Sequence, residues 1–258
     1  MSNRQLVQQA ALNQDLSAPD FIPFDSKEWL NYFEENRKAR PEIKISCEIS
    51  LQEPLQKNLV KSLQRFQIGE TGDGRHLRKY ASRLGDAAYI KCVDLFVKEE
   101  QNHAQILGEV ILAMNGLLLS WHWSDLAFIA LRRLLGLKTE LFILLIAEII
   151  GKCFYKSVAD KVDEPLLKDI FSLIVLDEIA HIQFHTDFLA NQLKNHPPNL
   201  KRIVHYGWCI IFFAACFVFV ADHRASLRSL GIGSSEFISK CAAIFRRSAR
   251  CVFASNEM

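Results

Sequence analysis

Glu99-Glu100-Gln101-Asn102-His103 and Asp177-Glu178-Ile179-Ala180-His181 carry one signature, an acid followed by Glu-x-x-His. Each has a lone glutamate thirty positions upstream of its Glu-x-x-His, Glu70 for the first and Glu148 for the second. Residues three apart share a helix face, so on helices His103 stands beside Glu100 and His181 beside Glu178. Gly85 divides the first interval at its midpoint. Asp163, read as an N-cap ahead of Pro165, divides the second. With helices on both sides of each midpoint, the glutamates of a hairpin meet at one height, ~22 Å from the turn at ~1.5 Å rise per residue. One Glu-x-x-His arises easily by chance. Two copies with mirrored upstream glutamates are hard to dismiss, and their six donors suit two adjacent metal ions inside a four-helix bundle.

Working outward, the spacing predicts helices over about 53–84, 87–114, 139–159 and 165–194, the last stopped by Asn195-His196-Pro197-Pro198-Asn199. Gly69, Gly72 and Gly74 crowd around Glu70, and at roughly 1 kcal/mol per interior helix glycine they predict a bend or unwinding there. The connection over about 116–138 holds Trp121 and Trp123, then a short helix opened by Ser124 or Asp125. Simple up-down bundles use short loops, so this length predicts a long crossover. No strand pattern competes, and the fold class is all-α. Residues 51–195 form the bundle. Residues 1–50 form an extension that docks through a helix at 26–38 bearing Trp29, Leu30, Tyr32 and Phe33, with a mobile tail as the alternative. Residues 199–258 add C-terminal helices, the final one near 235–253 with a solvated face of Arg246, Arg247 and Arg250.

On these motifs the chain, over roughly residues 52–195, resembles the ferritin-like diiron-carboxylate proteins, with oxidase- and oxygenase-like members in view. The resemblance implies a ferritin-like four-helix bundle with Glu70 and Glu148 as single carboxylate ligands. Glu100 and Glu178 would bridge the metals, and His103 and His181 would supply one nitrogen each. It also implies that the acids before each bridging glutamate, Glu99 and Asp177, orient the opposite histidine, fixing its tautomer and raising its basicity. Such a donor set suits iron or manganese, alone or mixed, better than zinc. His185, four residues after His181, is a candidate third nitrogen ligand of the kind some oxygenases of this superfamily possess, or a core histidine.

Phe66, Phe96, Leu144 and Ile174 each lie four positions before a ligand glutamate and are candidates for an apolar chamber, or for ordinary core. Gly74 and Gly151 open space for oxygen or substrate, or permit close packing. Tyr155 is a hydrogen-bonding or redox-active neighbour, or a packed tyrosine. The function implied is an oxidoreductase that activates dioxygen against a small organic substrate, with an electron-donor protein as a candidate partner and a homodimer as a candidate assembly. The alternative is a non-enzymatic iron-binding or storage protein with a ferroxidase-type site. The extensions outside the bundle argue against a storage cage.

Composition bounds the rest. Half of the chain is hydrophobic, enough for a sizeable core, and a net charge of +2 carries no nucleic-acid footprint. Seven scattered cysteines without a CxxC pair predict a reducing compartment. The polar start Met1-Ser2-Asn3-Arg4-Gln5 makes cytoplasmic the default. Residues 203–221 contain no Asp, Glu, Lys or Arg, so their length also suits a membrane span. Burial against the bundle is the favoured expectation and membrane association the other.

Overall fold

Three acidic side chains begin helices by capping them. Asp25 accepts from the backbone N–H of Lys27 and Glu28 at 2.8 and 2.9 Å, while the Glu28 carboxylate accepts from the Asp25 N–H. Asp86 accepts from Ala88 and Tyr89, both at 3.0 Å. At the third start the expected cap, Asp163, lies one residue outside. Glu164 takes the role and accepts from Leu167 N–H at 2.6 Å, with Pro165 at the first helical position. The longer glutamate arm spans the same three-residue reach and satisfies a donor that has no intrahelical partner.

The computed structural model describes residues 2–12, 23–45, 47–123 and 137–254, and every regular element among them is helical. These are α1 (Asn3–Leu12), α2 (Ser26–Ala39), α3 (Leu55–Glu70), α4 (Arg75–Ala81), α5 (Ala87–Ala113), α6 (Leu137–Lys161), α7 (Pro165–Leu193), α8 (Pro198–Asp222), α9 (Arg224–Ser229) and α10 (Ser234–Phe253). A short 3-10 turn, Ser82–Leu84, follows α4. The helix expected at Ser124 or Asp125 lies outside the described residues. α1 and α9 are additions to the expected set.

α3 and α5 run antiparallel, since Gln56 near the start of α3 donates from Nε2 to the carbonyl of Met114 just past the end of α5. The first long helix of the expectation is broken after Glu70. Thr71 caps α3, Gly74 turns the chain with φ +64°, and α4 restarts. α6 and α7 form the second antiparallel pair, joined by Val162, Asp163 and Glu164. α2 lies on α5 and buries Trp29, Tyr32, Phe33 and Asn36.

α8 is seated on α6 and α10 through Trp208, Phe212, Cys216 and Val220, and its other side is open. Trp208 donates from Nε1 to the Phe142 carbonyl at 3.0 Å, and Phe212 stacks on Phe245. By length and composition this one described helix is apolar enough to cross a membrane, yet only 28% of its most apolar window is buried. The expected burial therefore holds for one face only, because two helices beneath α8 cover one side of a cylinder and leave the other open.

Candidate metal centre

The helices α3, α5, α6 and α7 each carry part of one buried cluster. Glu70 is the last residue of α3; Glu100 and His103 sit midway along α5, Glu148 midway along α6, and Glu178 and His181 midway along α7. Two groups of donor atoms result. Glu100, Glu148, Glu178 and His181 bring one atom each within 4.8 Å of the others, and Glu70, Glu100 and His103 do the same. The groups share Glu100, whose Oε1 lies 3.1 Å from His181 Nδ1 and 3.6 Å from His103 Nδ1. Glu178 Oε1 lies 3.5 Å from His103 Nδ1. The 3.1 Å contact is misaligned, and Glu100 Oε1, Glu178 Oε1 and both histidine Nδ1 atoms are buried without a hydrogen-bond partner. Buried polar atoms left so are costly. Facing one another at this spacing, the carboxylate and imidazole atoms can hold a metal ion.

The rear edges of the imidazoles are held crosswise. His103 Nε2 lies 3.0 Å from Asp177 Oδ2 on α7, and His181 Nε2 lies 3.0 Å from Glu99 Oε2 on α5. An ionised carboxylate only accepts, so each Nε2 donates to its acid and each Nδ1 faces the cluster. α2 then ties the two acids together. The Asn36 amide donates to Glu99 at 2.8 Å and to Asp177 at 2.9 Å, and Arg40 donates to Asp177 and, at 2.7 Å, to Asn102. Asn36 and Arg40 lie outside the Glu-x-x-His motifs, and motif reading misses them. Their signal is present at α2, where positions 29, 33 and 36 share a face that begins Trp29 and Phe33 and turns polar at Asn36, with Arg40 just past the helix end.

Six carboxylates crowd this volume against one guanidinium and two imidazoles. Burial first, and then the neighbouring Glu100 charge, hold Glu70 well above the ordinary carboxylate range. Burial and the Glu148 charge raise Glu178 strongly and Glu100 as well. Glu148 moves the other way: burial pushes it up, but His181, with Nδ1 3.5 Å away, and the neighbouring Glu178 outweigh this and take it to about 2. Burial also opposes ionisation of Asp177, yet the His103 bond and Arg40 hold it below its usual range. Glu70, Glu100 and Glu178 thus hold their protons more tightly than free carboxylates, and a nearby cation would favour their ionised forms.

Phe66, Phe96, Leu144 and Gly151 line a cavity of about 560 Å³ that touches Glu70, Glu100, Glu148 and Glu178. A Cβ at Gly151 would meet Tyr155 and Phe66 at 3.6 and 3.8 Å, ordinary contact, so its surroundings are roomy. Gly74 also borders the cavity but opens no space. A Cβ there would sit 2.5 Å from Val97 Cγ2, so its glycine serves the left-handed turn and a close approach to α5. Tyr155 donates its hydroxyl to Glu70 Oε1 at 2.9 Å and is otherwise packed between Phe66 and Phe171. Ile174 is core, 1% exposed and outside the cavity wall. His185 is fully buried against Phe96 and Phe184 and belongs to neither donor group. Burial lowers its imidazole to about 4, and both ring nitrogens lack a hydrogen-bond partner.

No protein-family model, curated protein or solved structure matches this chain, so the geometry of the cluster alone carries the functional argument.

Proposed function

We propose that the chain is a ferritin-like diiron-carboxylate oxidoreductase that uses dioxygen to oxidise an organic substrate held in the cavity beside Glu100, Glu148 and Glu178. The observation that carries this reading is the set of orphaned, inward-facing donor atoms opening onto a largely apolar cavity. Glu70, Glu100 and His103 would hold one ion, and Glu100, Glu148, Glu178 and His181 the other. When bound, two ions of iron, of manganese, or one of each would supply two of the four electrons that reduce dioxygen, the substrate giving the other two and an electron-donor protein restoring the ions. The side chains do the remainder. Asp177 and Glu99 hold the imidazole protons on Nε2, so Nδ1 stays free to ligate. Tyr155 steers the Glu70 carboxylate through its hydroxyl hydrogen bond. Phe66, Phe96 and Leu144 give the reacting volume apolar walls.

The test is metal content and oxygen reactivity of the full chain from iron-replete cells. About two ions per chain are expected, with an absorption change when the reduced protein meets dioxygen. Glu100→Ala and Glu178→Ala should each lose most of the metal. Less than one ion per chain, unchanged by either substitution, would falsify the reading. Elution as a large hollow assembly that mineralises iron would favour the storage alternative.

A further inference from the structure

The cavity over the carboxylates reaches the surface. One end touches Glu100, Glu148 and Glu178, and the other is bounded by Ile210, Ala214 and Val218 of α8 and by Trp123 of the crossover. Its volume, about 560 Å³, falls inside the ~300–1,000 Å³ range of small-molecule sites. The far end belongs to a broad apolar face. On α8, Ile203, Ile210 and Phe217 are 69%, 72% and 63% exposed, and Trp123, which borders the same cavity, is 51% exposed. Soluble monomers rarely expose apolar surface on this scale.

Three observations identify what covers it. From Ile203 to Ala221 the helix carries no Asp, Glu, Lys or Arg, whereas exposed cations flank it: Lys194 and Arg202 before, Arg224 and Arg228 after. The exposed side is thus apolar along its length, as suits contact with hydrocarbon, and the cations beyond each end can reach anionic headgroups beside it. Trp121 and Trp123 stand exposed on the neighbouring segment, the residue type enriched where lipid meets water. The inner face, fixed to α6 and α10 by Trp208 and Phe212, prevents lipid from surrounding the helix, so it meets a bilayer lengthwise rather than crossing it. A partner protein would need no tunnel behind its contact face. Here the face and the cavity are continuous, through Ile210 and Val218.

We propose that this cavity takes the alkyl chain of a membrane lipid, which reaches the carboxylates past the outer face of α8 while that face rests in the membrane surface. As a substrate assignment this rests on the dimetal reading above; as a binding site it does not.

The test uses the full chain, phosphatidylcholine–phosphatidylglycerol vesicles, and the fluorescent fatty acid cis-parinaric acid. Wild type should float with the vesicles and enhance the probe's emission. Ile210→Lys with Phe217→Lys, both at exposed positions, should reduce flotation at least tenfold with an unchanged circular dichroism spectrum. Gly151→Leu, which places a side chain in the cavity, should abolish probe binding while flotation persists. Ala214→Trp at the exposed opening serves the same purpose if Gly151→Leu does not fold. A wild type that fails to float overturns the proposal, as do lysine variants that float normally. Probe binding unaffected by either cavity substitution also overturns it. Metal content measured on the same samples separates the two ideas: intact metal without lipid binding removes this inference alone, and lipid binding without metal removes the dimetal reading alone.

Discussion

Asn36 illustrates how one amide can serve two histidines. Its Nδ2 is the common donor to Glu99 and Asp177, and these acids in turn hold His181 and His103. Removing the amide leaves both acids with one bond fewer and frees the imidazoles to rotate. Substitutions behind a metal-binding histidine typically cost ~10–100-fold in metal affinity. Asn36→Ala is expected to fall in that range, read by chelator competition, with little change in helix content. An affinity equal to wild type would show that Arg40 alone suffices. Tyr155→Phe tests the other side of the cluster. The substitution removes only the hydroxyl that Glu70 accepts from, so metal should be lost faster from one position than from the other, giving two-phase release to a chelator. Release indistinguishable from wild type would reduce Tyr155 to packing.

At the scale of the element, the break between α3 and α4 decides where Glu70 stands. Gly74 holds φ +64° and lies against Val97, so Gly74→Ala meets both backbone strain and a 2.5 Å clash. A destabilisation of ~1–3 kcal/mol is expected for the strain, and Val97→Ala in the same background should recover only the contact. Gly69 is different. It is helical, and a Cβ added there would meet nothing within 4 Å, so Gly69→Ala should stabilise by ~0.5–1 kcal/mol. Denaturant midpoints of the two variants should therefore move in opposite directions. The run of glycines around Glu70 marks this bend in the sequence, but not which glycine makes the turn. That depends on the distance to α5, which local composition does not contain.

Across the whole molecule, His223 links the C-terminal helices to α3 and gives stability a dependence on acid. Its Nδ1 lies 2.8 Å from Ser62 Oγ, its ring stacks on Phe219, and Asp222, Arg65 and His122 are the charged or titratable groups about it. Burial first, then Arg65 and His122, lowers its imidazole to about 3. A histidine whose folded value lies below the usual ~6.5 stabilises fully above that value. The contribution is lost as pH falls from about 6.5 toward about 3, because the unfolded chain takes up the proton first. His223→Gln should flatten the urea midpoint against pH in that window relative to wild type. Equal slopes would mean the acid loss comes from elsewhere. Removing bound metal should act at neutral pH instead, lowering the melting temperature by mass action.

How much of this can be read from the chain differs by feature. The donor set, its order and its helical setting are determined by spacing, because positions three, fifteen and thirty apart have fixed relations along a helix and across a hairpin. The all-helical class follows from the same periods. Only the tertiary structure decided that Asn36 joins the two rear acids, that Ile174 is core and Gly74 a turn, and that α8 covers the bundle with one face while exposing the other. Those outcomes depend on distances between segments far apart in sequence, which packing sets and periodicity does not encode. Residues 203–221 show the difference most clearly. Their lack of charge is a property of the sequence, but a fully buried helix and a half-exposed one read alike, and only the packing of Trp208, Phe212, Cys216 and Val220 shows which face is covered.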